Sequence, residues 1–221
     1  FGTIAGLGED ARRRALVTSV VEHAAVRKPL ASICESMGHR LRLLDVDASC
    51  RVRSEQIDAH IDAEVAFVSL MHANNEVGAI QPVEEVGKRC REVGAIFHVD
   101  GAQAVGKLDV DVQRDHIDLY TIVGHKFYGP KGIGALYIGQ DVPWRSSLLG
   151  AGHERGRRAA SVPRIAAIAS ATSRLGLFVP PRASRHAAAR RSCFICGRFV
   201  ARSPTPHVAA PACPKAQKTP T

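Results

Sequence analysis

Short apolar runs that alternate with helical segments constrain the fold of this chain most. The run Val65–Met71 is almost continuously apolar, as expected of a strand covered on both faces. Similar runs predict further strands at 15–20, 41–46, 95–99, 119–123 and 135–138, and helices are predicted at 22–37, 54–61 and 82–93. Ser54 is a candidate cap for the second helix, and Pro82 suits the first turn of the third. The alternation predicts an α/β fold, a mostly parallel sheet sandwiched by helices.

Composition excludes several classes of protein. The 45% apolar and 23% charged content is that of a soluble globular domain, and no apolar run approaches the ~20 residues of a membrane helix. Cys34, Cys50 and Cys90 are scattered, as expected of reduced thiols. We therefore expect a cytoplasmic protein, or a mitochondrial one if a presequence precedes the chain. The chain begins with Phe1 rather than Met, which predicts a truncated N-terminus.

The net charge of +9 is unevenly distributed. All 21 acidic residues lie at or before Glu154, together with only 17 of the 30 lysines and arginines. Residues 176–221 are basic, rich in Ala, Arg and Ser, and interrupted by seven prolines. We predict a domain over residues 1–175 and a disordered basic tail over 176–221. Such a tail can bind anionic surfaces non-specifically, or it can be a solvated extension.

Four residues in the tail are potential zinc ligands: Cys193, Cys196, His207 and Cys213. A single Cys-x-x-Cys pair is a weak signal, and no predicted strand or helix orients these side chains. We predict no metal site, although a basic, zinc-binding interaction module stays open as an alternative.

A lysine follows the predicted strand 119–123 directly. Lys126 lies among glycines and aromatics, and desolvation there favours the neutral amine, a nucleophile that can form a Schiff base. A surface lysine in a glycine-rich turn is the alternative. Polar residues also follow three other apolar runs, namely His23, Asn75 and Asp100. Ligand residues of parallel sheets gather at strand ends, so these four are candidates for one site.

Five ordered blocks resemble the pyridoxal-phosphate-dependent cysteine desulfurases of the aminotransferase class V group, which also includes selenocysteine lyase. The blocks are VEHAAV at 21–26, MHANNEVG at 71–78, HVDGAQ at 98–103, GHKFYGPKGIG at 124–134 and GHERG at 152–156. The resemblance covers about residues 3–175. It implies the large domain, here incomplete, of a pyridoxal-phosphate-dependent transferase of fold type I.

The resemblance assigns roles to individual residues. It implies that Lys126 bonds the aldehyde of pyridoxal 5'-phosphate and that Asp100 holds the protonated ring nitrogen. His23 would stack on the ring and assist proton transfer. Gln103 and Asn75 would hydrogen-bond the phenolic oxygen or the substrate imine region.

The phosphate side of the cofactor site departs from the family pattern. His125 resembles a residue on that side, but Val123 stands where the family often has Ser and cannot donate a hydrogen bond. Ser161 lies where the family usually has a Thr that reaches the phosphate of the neighbouring subunit. The resemblance therefore implies a homodimer.

The implied reaction converts L-cysteine to alanine and leaves an enzyme persulfide. That sulfur would pass to an acceptor or scaffold protein for iron–sulfur cluster or thio-cofactor assembly, with no membrane or specific nucleic acid involved. The block at 152–156 favours a desulfurase over selenocysteine lyase or another class V enzyme. Because the family's phosphate loop and sulfur-accepting cysteine loop are missing, we expect this chain alone to be inactive.

Overall fold

The computed structural model describes residues 3–4, 13–146, 150 and 157. Its six strands form one sheet in the order β2-β1-β3-β4-β5-β6. The strands are β1 (Ala15–Ser19), β2 (Arg40–Leu44), β3 (Val65–Met71), β4 (Ile96–Asp100), β5 (Leu119–Val123) and β6 (Gly134–Ile138). The helices are α1 (Ala24–Met37), α2 (Ser54–His60) and α3 (Val83–Val93), and a short 3₁₀ helix spans Gly124–Phe127.

The first five strands are parallel, and β6 closes one edge antiparallel to β5. The predicted mostly parallel α/β sheet is therefore confirmed. The pairing aligns the strand ends: Met71 lies opposite Asp100, and Asp100 lies opposite Thr121. Loops that leave β3, β4 and β5 consequently start at nearly the same level.

Helices cover both faces of the sheet. On one face α2 and α3 bury Ile57 and Val86 against a large core that includes Phe97 and Tyr120. On the other face α1 buries Leu30 and Ile33 against a smaller core. All seven residues of β3 are buried, as the apolar run predicted. This two-sided cover fixes β3 at the centre of the fold.

Most predicted boundaries lie within two residues of the observed ones, and α1 ends at Met37 as predicted. Two predictions about helix starts were wrong. Ser54 is the first residue of α2 and forms no capping bond, because Arg53 occupies the extended cap position. Pro82 is the cap residue of α3 rather than part of its first turn.

Several predicted features lie outside the described residues. These are Ser161, the block at 152–156, the tail at 176–221 and the four potential zinc ligands. Across the part of the chain that the structure describes, no helix is both long and apolar enough to span a bilayer. Within that part, no group of three or more His, Cys, Asp or Glu is placed to hold a metal ion.

Candidate active site

Four of the predicted residues lie at the end of the sheet where the parallel strands finish, which we call its carboxyl edge. Strands β1, β3, β4 and β5 are consecutive neighbours in it. In chain order their carboxyl ends lead to His23, Asn75, Asp100 and Lys126. Parallel pairing thus gathers an imidazole, an amide, a carboxylate and an amine whose sequence positions span a hundred residues.

His23 is the N-cap of α1. Its backbone is extended, and its ring Nδ1 accepts a hydrogen bond from the N–H of Ala25 at 3.2 Å. An accepting Nδ1 places the proton of the neutral ring on Nε2. The side chain is exposed. The cap therefore fixes both the tautomer of His23 and its place at the sheet edge.

The residue before this histidine is a buried acid that the sequence interpretation missed. Glu22 is only 4% exposed, and its Oε1 accepts the backbone N–H of His23 at 2.9 Å. Burial raises the pKa of Glu22 to about 7, and the negative charge of Asp100 adds to this rise. An acid directly after an apolar strand and before a candidate histidine was the available signal.

The loop after β3 is held by Asn74, also missed. Its Oδ1 accepts the N–H groups of Glu76 at 2.9 Å and Val77 at 3.0 Å, and its Nδ2 donates to the carbonyl of Val21 at 3.3 Å. One side chain therefore shapes its own loop and ties it to the loop that carries His23. The neighbouring Asn75, the predicted site residue, is exposed.

Asp100 ends β4 in a tight turn. Its Oδ1 accepts the N–H of Ala102 at 2.9 Å, and the N–H of Gly101 donates to the carbonyl of Thr121 at 3.0 Å. A Cβ on Gly101 would lie 2.1 Å from the Tyr120 ring, so only glycine fits. Three residues after Asp100, Gln103 accepts a hydrogen bond from Lys107 Nζ at 3.0 Å.

A row of polar side chains crosses three strands just before this edge. Ser69 Oγ lies 2.7 Å from His98 Nδ1, and Thr121 Oγ1 lies 2.8 Å from His98 Nε2. The His98 ring also stacks on the Phe67 ring, with 6.2 Å between the ring centroids. Desolvation lowers the pKa of His98 to about 4. The row therefore contains a neutral histidine, and each of its two ring nitrogens is hydrogen-bonded to a hydroxyl group.

Lys126 lies in the 3₁₀ helix that begins directly after β5. We call residues 124–134 the lysine turn. The N–H of Gly124 donates to the carbonyl of Ile133, and the N–H of Gly129 donates to the carbonyl of Gly124, both at 2.9 Å. A Cβ on Gly129 would lie 2.8 Å from that Gly124 oxygen. Glycine therefore permits the turn to fold back on itself.

The predicted desolvation of Lys126 is not observed. Lys126 is exposed, as are His125, Phe127 and Tyr128. Phe127 is 37% exposed and Tyr128 is fully exposed, so these aromatic side chains do not bury Lys126. The residue before the turn, Val123, contributes no hydroxyl group.

The donor set at this edge suits pyridoxal phosphate. A primary amine can bond an aldehyde, a carboxylate can hold a protonated ring nitrogen, and an imidazole and two amides offer further hydrogen bonds. Lys126, Asp100 and His23 are the members with the most specific chemistry.

A mostly parallel α/β sheet with a lysine and an aspartate at the carboxyl ends of its strands defines the class of protein: an α/β domain of the kind in which ligands bind at the strand ends. The aminotransferase class-V family model matches residues 5–157. The chain belongs to this family.

Named relatives agree with that assignment. The chain is 41% identical over 169 residues to "Cysteine desulfurase 2" of Trichormus variabilis, covering 76% of this chain and 42% of the relative. The fold matches a solved NifS-like protein with a TM-score of 0.67 at 33% identity, over 73% of this chain and 45% of that one. It also matches "SspA in complex with cysteine" with a TM-score of 0.64 at 32% identity, over 73% and 50%. The chain thus spans about half or less of these proteins.

Proposed function

We propose that this chain forms part of the cofactor-binding domain of a pyridoxal-phosphate-dependent cysteine desulfurase. The observation that carries the proposal is the placement of Lys126, Asp100 and His23 at the carboxyl ends of β5, β4 and β1, which belong to four consecutive strands of the sheet. The sheet does not require an amine, a carboxylate and an imidazole at these three places. Similarity to named desulfurases supports the same function.

Pyridoxal phosphate, when bound, supplies an electron sink for negative charge that develops on the substrate. Lys126 would attach the cofactor covalently and move protons at the substrate carbon. Asp100 would hold the proton on the ring nitrogen, and His23 would pack on the ring with its Nε2–H as a donor. Asn75, Gln103 and His125 would hydrogen-bond the cofactor, and Ser161 of a second copy would reach its phosphate.

L-cysteine is the proposed substrate. The solved relative SspA is in complex with cysteine, and its fold matches over most of this chain. The complete enzyme would release alanine and hand sulfur, as a persulfide, to an acceptor or scaffold protein. Free thiols at Cys34, Cys50 and Cys90 agree with a reducing compartment, and we place the enzyme in the cytoplasm.

The test is covalent cofactor capture by the purified chain. With pyridoxal phosphate, we expect a visible absorption band that borohydride fixes to the protein, and a mass increase that maps to Lys126. Lys126→Ala should abolish both signals. Lys131→Ala is the matched control, because Lys131 is also exposed and lies in the same turn. Equal labelling of the wild type and Lys126→Ala would refute the assignment.

A further inference from the structure

Glu22 has an unusual environment for an acid. It is 4% exposed, and its second carboxyl oxygen, Oε2, is buried with no hydrogen-bond partner among the described residues. Burying a polar group without a partner costs free energy, so such a group is rare unless it serves another purpose. The first oxygen, Oε1, is committed to the backbone N–H of His23.

Glu22 also joins three strand ends. It follows β1, and two other strand ends act on its pKa: the backbone of Met71 at the end of β3 lowers it, and the Asp100 carboxylate at the end of β4 raises it. Asn74 fixes the adjacent residue by donating to the carbonyl of Val21. The backbone of residues 21–23 is therefore held by two hydrogen bonds, one to the carbonyl of Val21 and one from the N–H of His23.

We propose that Glu22 is a positioning residue whose buried carboxyl group fixes the backbone of His23 and, in its protonated form, leaves Asp100 as the single anion at this point of the sheet. This inference rests on the proposed function, since it concerns His23 and Asp100 as cofactor-binding residues. It adds a residue to that site.

Charge explains why the neutral form is the useful one. The groups that face the Glu22 carboxyl are the Asp100 carboxylate, the His23 N–H and the backbone of Met71. A second carboxylate there would repel Asp100 and compete for the positive charge of a protonated ring nitrogen. A carboxylic acid keeps the acceptor for His23 without adding that charge.

The first measurement follows the environment of the His23 ring in the cofactor-free chain. In the full chain, the His23 ring resonances are followed by NMR and assigned by their loss in His23→Asn. We expect Glu22→Gln to preserve them, because the amide keeps the shape, the acceptor and the neutral charge. Glu22→Ala should shift or broaden them. Glu22→Met, which keeps volume without the acceptor, replaces Glu22→Ala if the latter does not fold.

The second measurement reads protonation. Burial raises the pKa of Glu22 from 4.5 to about 7, so folding favours the neutral form. The associated stability is complete below pH 4.5 and declines as pH rises to 7. Relative to Glu22→Gln, the wild-type unfolding constant should therefore increase by about two orders of magnitude across that window.

The third measurement reads the cofactor. Pyridoxal phosphate should bind Glu22→Gln about as tightly as the wild type and Glu22→Ala at least tenfold more weakly. Unchanged His23 resonances in Glu22→Ala and in Glu22→Met, or pH profiles that run parallel in the wild type and Glu22→Gln, would overturn the proposal. If the wild type forms no Lys126-dependent band, the proposed function fails, while the two cofactor-free measurements still decide the role of Glu22.

Discussion

The carboxyl edge of the sheet has two parts that are built differently. The loops after β1, β3 and β4, which we call the tied half, are fastened by the side chains of Glu22, Asn74 and Asp100. The lysine turn is shaped by backbone hydrogen bonds between glycines and Ile133. The tied half therefore depends on particular side chains in addition to Gly101, whereas the lysine turn depends on glycines and backbone hydrogen bonds.

The difference matches the chemistry proposed for each part. Residues that hold a ring and its charge need fixed positions, and bonds to neighbouring loops supply them. A lysine that would attach the cofactor and later be released as a free amine when the substrate amine takes its place needs room, and the lysine turn leaves Lys126 exposed. Three predictions can break or sharpen this comparison.

The largest effect is expected from overfilling the tied half. In Gly101→Ala the new Cβ would lie 2.1 Å from the Tyr120 ring, which is fully buried. We expect this overpacking to lower the free energy of unfolding by about 3 kcal/mol, as measured by urea denaturation.

Gly78→Ala is its control, because Gly78 has φ +75° and nothing within 4 Å of the added Cβ. It should cost only about 1 kcal/mol, from backbone strain. Adding Tyr120→Leu to Gly101→Ala should recover part of the loss. Equal costs at Gly101 and Gly78 would show that the packing behind Asp100 is not tight.

An intermediate effect is expected at the row that joins the two parts. Desolvation holds the pKa of His98 at about 4, below its usual 6.5, so the folded chain keeps a neutral ring while the unfolded chain takes up a proton. Stability from this group is full above pH 6.5 and is lost as pH falls to 4, by at most about 3 kcal/mol.

His98→Gln should be less stable at neutral pH but should lose less stability on acidification. Urea unfolding at several pH values would show this as a flatter profile. Glu22 has the opposite pH dependence over nearly the same pH range, since the stability that Glu22 contributes to the fold falls as pH rises to about 7. Comparing both variants with the wild type separates the two groups, and parallel profiles for His98→Gln and the wild type would contradict the prediction.

The smallest effect separates two adjacent asparagines. Asn74→Ala removes four hydrogen bonds, one of them to the sulfur of Met71, and should cost about 2 kcal/mol of stability. Asn75→Ala removes an exposed side chain and should change stability by less than about 0.5 kcal/mol while weakening cofactor binding. Thermal unfolding and a pyridoxal phosphate titration measure the two effects, and the reverse pattern would exchange the roles of the two residues.

Sequence by itself determined the framework. Apolar runs predicted all six strands within two residues, because a strand buried on both faces needs uninterrupted apolar side chains and β3 has them. The alternation with helices predicted the mostly parallel sheet, and strand ends predicted where His23, Asn75, Asp100 and Lys126 would lie. These inferences depend on local patterns that a sequence displays directly.

Only the tertiary structure decided how the edge is held. Desolvation of Glu22 and the hydrogen bond from Asn74 to Val21 depend on side chains that are distant in sequence, which no local pattern displays. The exposure of Lys126 contradicts the predicted desolvation and agrees with the alternative of a surface lysine in a glycine-rich turn, because glycines and aromatics nearby in sequence do not enclose a residue unless the turn folds over it. Sequence placed the chemical groups at the strand ends, and packing determined which of them are buried, charged and fixed.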